Sequence, residues 1–177
     1  MIIWLNGTFG VGKTTTAGEL VRLLPAARLF DTEEVGYLLR SIPGLPALGD
    51  FQHWPPWRGL VVETARQVLD YVGGTLVIPQ TVLVQRYWAE IRTGLAATHI
   101  PVRHVLLHTD QDTLARRIER DNASNRRWRL DHLQCYQLAL LWLRAEAEVI
   151  DTTDLTAQDA ARMIAATAIA GDLKILD

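Results

Sequence analysis

Three features of the sequence predict an α/β domain built on a parallel sheet. Short apolar runs alternate with longer stretches of helical periodicity. The first run, IIWLN, leads directly into the glycine-rich turn GTFGVGKT, and no linker, repeat or low-complexity stretch divides the 177 residues. With 49% hydrophobic and 21% charged residues, the chain can bury one good core and fits a single domain, 1–177.

The elements follow in order. IIWLN (2–6) is the first strand. Residues 13–24 place Ala17, Leu20, Val21 and Leu24 on one helical face, and Pro25 stops the helix. ARLF (27–30) is a short second strand ending at Asp31. TEEVGYLLRSI reads as a helix with acids in its first turn, where the helix dipole favours them. The pattern breaks down from Pro43 to Pro56. Trp57, Leu60, Val61, Thr64, Ala65, Val68, Leu69 and Val72 then recur at helical spacing, and Gly73-Gly74 end that helix before strand TLVIP (75–79). A helix over 84–98, strand VRHVLLH (102–108) and an arginine-rich helix over 111–121 follow. Residues 122–129 read as a polar loop, 130–147 as a long apolar helix, EVIDT as a fifth strand, and 156–170 as a helix capped by Thr156 with Asp159.

Composition excludes several classes. A net charge of −2 supplies no basic surplus to attract nucleic acid. MIIWLNGTFG lacks the basic start and small-residue cleavage site of a signal peptide. The strongly apolar stretch LALLWL falls far short of the ~20 residues that span a bilayer, so no transmembrane segment is expected. Cys135 is the single cysteine, which rules out an internal disulfide and points to a reduced, cytoplasmic setting. His99, His104 and His108 share no metal-ligand spacing with acidic partners. Trp4, Trp142 and Cys135 read as core residues.

Residues 7–14 fit G-x-x-x-x-G-K-[ST], with a strand running in and a helix running out. Glycines let successive N–H groups turn inward toward phosphate oxygens at a helix N-terminus. Lys13 is then placed to reach the β and γ phosphates, and the Thr14 hydroxyl to sit on Mg2+. Only Lys13 and Lys174 are lysine among 18 basic residues, so the lysine in the loop stands out against the composition. A dinucleotide reading is weaker, because position 15 is Thr15 where a further glycine would be needed. The nucleotide-binding set is Gly7, Thr8, Phe9, Gly10, Val11, Gly12, Lys13, Thr14 and Thr15.

No N-K-x-D tetrad marks a GTPase, and strand TLVIPQT ends in Pro79, Gln80 and Thr81 where an ATPase would carry a magnesium-binding acid. Asp31, at the C-terminal end of the second strand, is the remaining well-placed acid. It fits Mg2+ ligation through water, or proton acceptance from a substrate hydroxyl; a helix cap is the structural alternative. Arg116, Arg117, Arg120, Arg126, Arg127 and Arg129 crowd fourteen positions. Arginines that close over a transferring phosphoryl group neutralise its charge and exclude water, while an exposed solvated helix face is the bland alternative.

IIWLNGTFGVGKTTTA, FDTEEVGYLLRS, DFQHWPPWRGL and LVIPQT together resemble the tunicamycin-resistance protein family, ATP-binding proteins within the wider group of P-loop small-molecule kinases. The resemblance covers the chain to about residue 121. It implies a three-layer P-loop kinase fold like nucleoside-monophosphate and shikimate kinases, with five parallel strands ordered 2-3-1-4-5. It also implies ATP and Mg2+ as cofactors, and protection against a nucleoside antibiotic, tunicamycin.

By the same resemblance, Asp31 lies near the acceptor hydroxyl, Arg117 and Arg120 lie against the adenine, and Thr152 falls where the base is wrapped. Arg126 or Arg127 becomes the arginine of a lid over about 116–130. Residues about 32–72 become the acceptor-binding arm. Its expected contacts are Trp57 and Arg58 first, then Gln52, with Asp31, Arg40, Trp54 and Gln80; the alternative is that Trp54 and Trp57 anchor a long loop to the core. Three activities fit the resemblance: phosphorylation of the drug, its sequestration with ATP without chemistry, and a housekeeping small-molecule or nucleotide kinase.

Overall fold

The computed structural model describes residues 1–120 and 126–173, and within these the side chains of 1–119 and 133–168. Five strands, β1 (Ile2–Asn6), β2 (Ala27–Leu29), β3 (Thr75–Pro79), β4 (Val102–His108) and β5 (Glu148–Asp151), form one sheet in the order β2-β3-β1-β4-β5. All four pairings are parallel, with Leu5 in register with Pro79 on one side and Val105 on the other. The sheet is therefore α/β in the order the resemblance implies. A parallel sheet needs a crossover between its strands, and the helices provide it: α1 (Lys13–Leu23), α2 (Glu33–Arg40), α3 (Pro55–Val72), α4 (Gln85–Ala96), α5 (Gln111–Arg120), α6 (Arg126–Glu146) and α7 (Ala157–Leu173).

β1 is buried along its whole length because it is the central strand, covered on both faces. Ile2 and Trp4 point to one side, into a core shared with α3 and α4 through Trp57, Val61, Trp88 and Ile91. Ile3 and Leu5 point to the other, where Ala17 and Leu20 of α1 meet Ala161 and Ile164 of α7. A third cluster packs Tyr136, Ala139 and Leu143 of α6 on Leu106. At ~25 cal/mol per Å2, the buried tryptophans and branched aliphatics carry much of the stabilisation.

Two segments differ in kind from the sequence reading. Residues 126–129, expected in a polar loop, are the first turn of α6. Arginine is a good helix former, and a polar composition does not oppose a helix. Inside the expected loop at 43–56, a 3-10 turn spans Phe51–His53, with the Asp50 side chain accepting the Gln52 N–H at 2.9 Å. Pro55 and Pro56 then start α3, since a first helical turn has no need of their missing N–H groups. No described helix is long and apolar enough to cross a membrane.

Candidate functional site

The site gathers at the C-terminal edge of the sheet. β1 stops at Asn6 and the chain turns through Gly7, Gly10 and Gly12, all at positive φ (133°, 79° and 98°). Gly7 admits no side chain: a Cβ there would stand 2.5 Å from the Leu107 carbonyl oxygen. A Cβ on Gly10 would meet Ile118 at 2.9 Å, so α5 also presses on the loop. Gly12 caps α1, which aims the first N–H groups of that helix outward as an anion site. The Lys13 ammonium donates to the carbonyls of Gly7 at 3.0 Å and Thr8 at 2.8 Å, and it lies 5.4 Å from the centre of the Phe9 ring. Thr14 and Thr15 are exposed beside it, Thr8 is buried, and Val11 packs into the core.

The loop's root is fixed by residues that the sequence reading passed over. Asn6 is completely buried and makes four bonds. Its Oδ1 accepts the N–H of Gly7 at 2.8 Å and of Val82 at 2.9 Å, and its Nδ2 donates to the Val82 carbonyl and to His104 Nε2. Thr81 donates to the Gly7 carbonyl at 2.7 Å. Asn6 directly precedes the motif and ends an apolar run, and that polar break was the available signal.

Asp31 and Glu33 follow the C-terminal end of β2, at the same edge of the parallel sheet as the glycine turn after β1. Asp31 is exposed, and its Oδ1 accepts the Glu33 N–H at 2.9 Å, so the cap role expected as its alternative is present. From the sequence alone Glu33 is only a dipole-matched acid in a first helical turn. Partial burial, then the neighbouring Asp31 charge, push its carboxyl above the usual range, with Lys13 pulling it back.

On the other flank, Arg117 donates to the carbonyl of Thr152 at 2.8 Å and to its hydroxyl at 3.3 Å. Arg117 borders a cleft of about 480 Å3, with Asp110, Thr113, Arg116, Thr153 and Asp154 along its walls. Thr152 bonds in turn to the His108 carbonyl at 2.7 Å, and the His108 ring meets Tyr136 and Arg144 of α6. The side chains of Arg120, Arg126, Arg127 and Arg129, expected at the adenine and in the lid, lie outside the described residues.

The arm departs from expectation at three of its contacts. Trp57 is fully buried, donates its indole N–H to the Thr32 carbonyl at 2.9 Å and packs on Phe51, so it belongs to the core and not to a substrate wall. Arg58 is 7% exposed. It pairs with Glu90, donates to the Gln52 carbonyl and lies 4.3 Å over the Tyr87 ring, so its guanidinium is committed to holding α3, α4 and the 3-10 turn together. Gln80 is also buried: its Oε1 accepts from Thr32 at 2.8 Å and its Nε2 donates to the Thr81 carbonyl. The end of β3 is a brace between α2 and the phosphate loop. Arg40 and Gln52 remain accessible, and Trp54, though its N–H is bonded to the Pro46 carbonyl, keeps part of its ring on a cavity.

Among the described residues no group of three metal-ligating His, Cys, Asp or Glu side chains converges.

The sequence profile of a family described as AAA domain matches residues 2–139. No curated protein sequence matches the chain. Among solved structures it is similar to the tunicamycin resistance protein of Deinococcus radiodurans, with 29% identity, 94% of each chain covered and a TM-score of 0.70. It is also similar to a gluconokinase from Sinorhizobium meliloti 1021 (17% identity, 99% of this chain and 96% of that one, TM-score 0.66). A shikimate kinase from Acinetobacter baumannii in complex with shikimate gives 21% identity, 97% and 94% coverage and a TM-score of 0.63. The two kinases report a shared fold, the P-loop kinase type with this strand order.

Proposed function

The chain belongs to the AAA domain family, and on that premise we propose that it is an ATP-dependent phosphotransferase acting on a hydroxyl of a nucleoside-type acceptor, tunicamycin. The observation that carries the reading is the glycine turn that sets the Lys13 ammonium at the start of α1, with Asp31 and the Glu33 N–H it holds following β2 at the same edge of the parallel sheet. The 29% identity to the Deinococcus radiodurans tunicamycin resistance protein supports the choice of acceptor.

The roles follow from chemistry. The N–H groups of residues 8–15 and the Lys13 ammonium bind the phosphates and stabilise charge on the transferring group. Arg117, held by the Thr152 carbonyl, borders the cleft that takes the nucleotide base, and the arginine-rich segment 116–130 closes over the phosphates. The acceptor oxygen bonds to the γ phosphorus while the bridge to the β phosphate breaks, and ADP leaves with that electron pair. Glu33, with its affinity for protons raised, takes the hydroxyl proton; Asp31 holds the turn that presents it.

Magnesium fits the oxygen donors present, the exposed Thr14 hydroxyl at the start of α1 and the exposed Asp31 carboxylate, with water and phosphate oxygens completing its shell. When bound, the ion supplies charge neutralisation at the β and γ phosphates.

Incubation of the protein with Mg-ATP and tunicamycin, followed by mass spectrometry, should yield a drug species heavier by one phosphoryl group. Drug recovered unmodified while ATP and drug tighten one another's binding would replace transfer with sequestration.

A further inference from the structure

Thr32 is the N-cap residue of α2, yet its hydroxyl does not cap the helix. A threonine at that position ordinarily accepts an N–H of the first turn. Here Asp31 accepts the Glu33 N–H, and Thr32 Oγ1 donates instead to Gln80 Oε1 at 2.8 Å. The Thr32 carbonyl takes the Trp57 indole N–H at 2.9 Å. One buried residue is thus pinned both from the end of β3 and from α3, and Glu33 is the next residue along the chain.

Gln80 is held as firmly on its other side. Trp4 of β1 donates its indole N–H to the Gln80 carbonyl at 3.1 Å, and Gln80 Nε2 donates to the Thr81 carbonyl at 3.1 Å. Thr81 Oγ1 donates in turn to the Gly7 carbonyl at 2.7 Å, the same oxygen that the Lys13 ammonium reaches at 3.0 Å. Thr32, Gln80 and Thr81 are all buried, so water does not compete for these bonds. A line of hydrogen bonds therefore runs from the first turn of α2 to the lysine of the phosphate loop. Packing alone would be served by a methionine of similar volume at position 80. Joining a hydroxyl on one side to a carbonyl on the other takes a group that both accepts and donates, which an amide does.

We propose that Gln80 is a positioning residue for phosphoryl transfer: through Thr32 it sets the reach between the turn bearing Asp31 and Glu33 and the phosphate loop, and it passes nucleotide binding at that loop to α2 as added rigidity. Transfer needs the acceptor oxygen in line with the γ phosphorus, and a misplacement of about 1 Å costs on the order of 100-fold in rate. The role in transfer rests on the phosphotransferase reading; the link between α2 and the loop stands on the bonds alone.

Three variants separate positioning from packing. Thr32→Val keeps the shape and deletes the hydroxyl, and Thr32→Ser restores it. Thr32→Val combined with Gln80→Met removes both polar partners, so that neither is left buried and unpaired. Hydrogen exchange read by mass spectrometry tests the link with Mg-AMPPNP, a non-hydrolysable ATP analogue, and no acceptor. The nucleotide should slow exchange across Glu33–Arg40 by about threefold or more in wild type and Thr32→Ser, and leave it unchanged in Thr32→Val and in the double variant. With Mg-ATP and tunicamycin, kcat of the double variant should fall about 10- to 100-fold while KM for ATP stays within about twofold, and Thr32→Ser should match wild type. Full turnover in the double variant would overturn the positioning role and leave Gln80 to packing. Wild-type transfer with no nucleotide response in α2 would overturn the link and leave the phosphotransferase reading standing. A response present in wild type and lost in Thr32→Val, with no transfer in either, would support the link and count against the phosphotransferase reading.

Discussion

Asn6 Nδ2 lies 3.2 Å from His104 Nε2, joining the root of the phosphate loop to the neighbouring strand through two buried side chains. An amide N–H donates there, so the imidazole is the acceptor and its own proton sits on Nδ1, directed at the Glu146 carbonyl at the end of α6. Trp88 lies against the ring with centroids 3.9 Å apart. The pair works only while His104 is neutral.

Burial lowers the His104 pKa to about 4 from 6.5. The unfolded chain therefore binds a proton near pH 6.5 that the folded chain refuses until about pH 4. Stability contributed by this group is complete above pH 6.5 and falls as pH drops toward 4, by roughly 3 kcal/mol in all. Urea unfolding at pH 4, 5, 6 and 7 should show this slope, and a His104→Asn variant should flatten it. NMR titration of the ring provides a second readout; a His104 pKa near 6.5 in the folded protein would contradict the prediction.

Lys13→Ala removes the ammonium that bonds Gly7 and Thr8 and, in the proposed reaction, serves the phosphates. Charge-assisted bonds of this kind are worth about 1.5–3 kcal/mol, so Mg-ATP affinity should fall about 10- to 150-fold in calorimetry. The circular dichroism spectrum should be unchanged, because the glycines set the loop's path.

Asp31→Asn and Glu33→Gln separate two jobs that sit two residues apart. An asparagine oxygen still accepts the Glu33 N–H, so the first change should leave the unfolding midpoint within about 0.5 kcal/mol. Glu33→Gln should lower turnover about 100-fold or more while ATP binding persists. Equal turnover in wild type and Glu33→Gln would shift the proton acceptor back to Asp31.

Arg58→Ala should behave as a folding variant. Losing its bonds to Glu90 and the Gln52 carbonyl, and its stack on Tyr87, should cost about 2 kcal/mol, toward the low end because Glu90 is half exposed. Mg-ATP affinity should stay within about twofold of wild type. A large loss of affinity with no loss of stability would restore Arg58 to the ligand.

The sheet was legible in the sequence because its signals are local. IIWLN before a glycine turn, TLVIP after Gly73-Gly74, and Pro25 after an amphipathic run each report a boundary through backbone chemistry alone. The phosphate loop was legible for the same reason, with Gly7, Gly10 and Gly12 at the positive φ angles the turn requires.

The arm was misread because burial of a tryptophan or arginine depends on partners distant in sequence. Trp57 is placed by Thr32, Arg58 by Glu90, and Gln80 by Thr32, separations that composition does not encode. Trp54 and Trp57 look alike as aromatic residues flanking two prolines and both enter one buried cluster, yet only Trp54 also borders a cavity. Glu33 was passed over because an acid in a first helical turn already has a sufficient local reason to be there.

Residues 41–50 are tied down by bonds from the arm itself, Arg40 to Gly49 and Trp54 to Pro46, while the ends of β1 and β3 are bonded to one another. The loop proposed to face the acceptor and the frame proposed to handle phosphate are thus separately fastened. Evolution can redraft the first without disturbing the second, so changes of clientele should accumulate in those ten positions. For an engineer the same division makes that loop a replaceable cassette, to be exchanged between its two fastenings on a nucleotide engine left as it is.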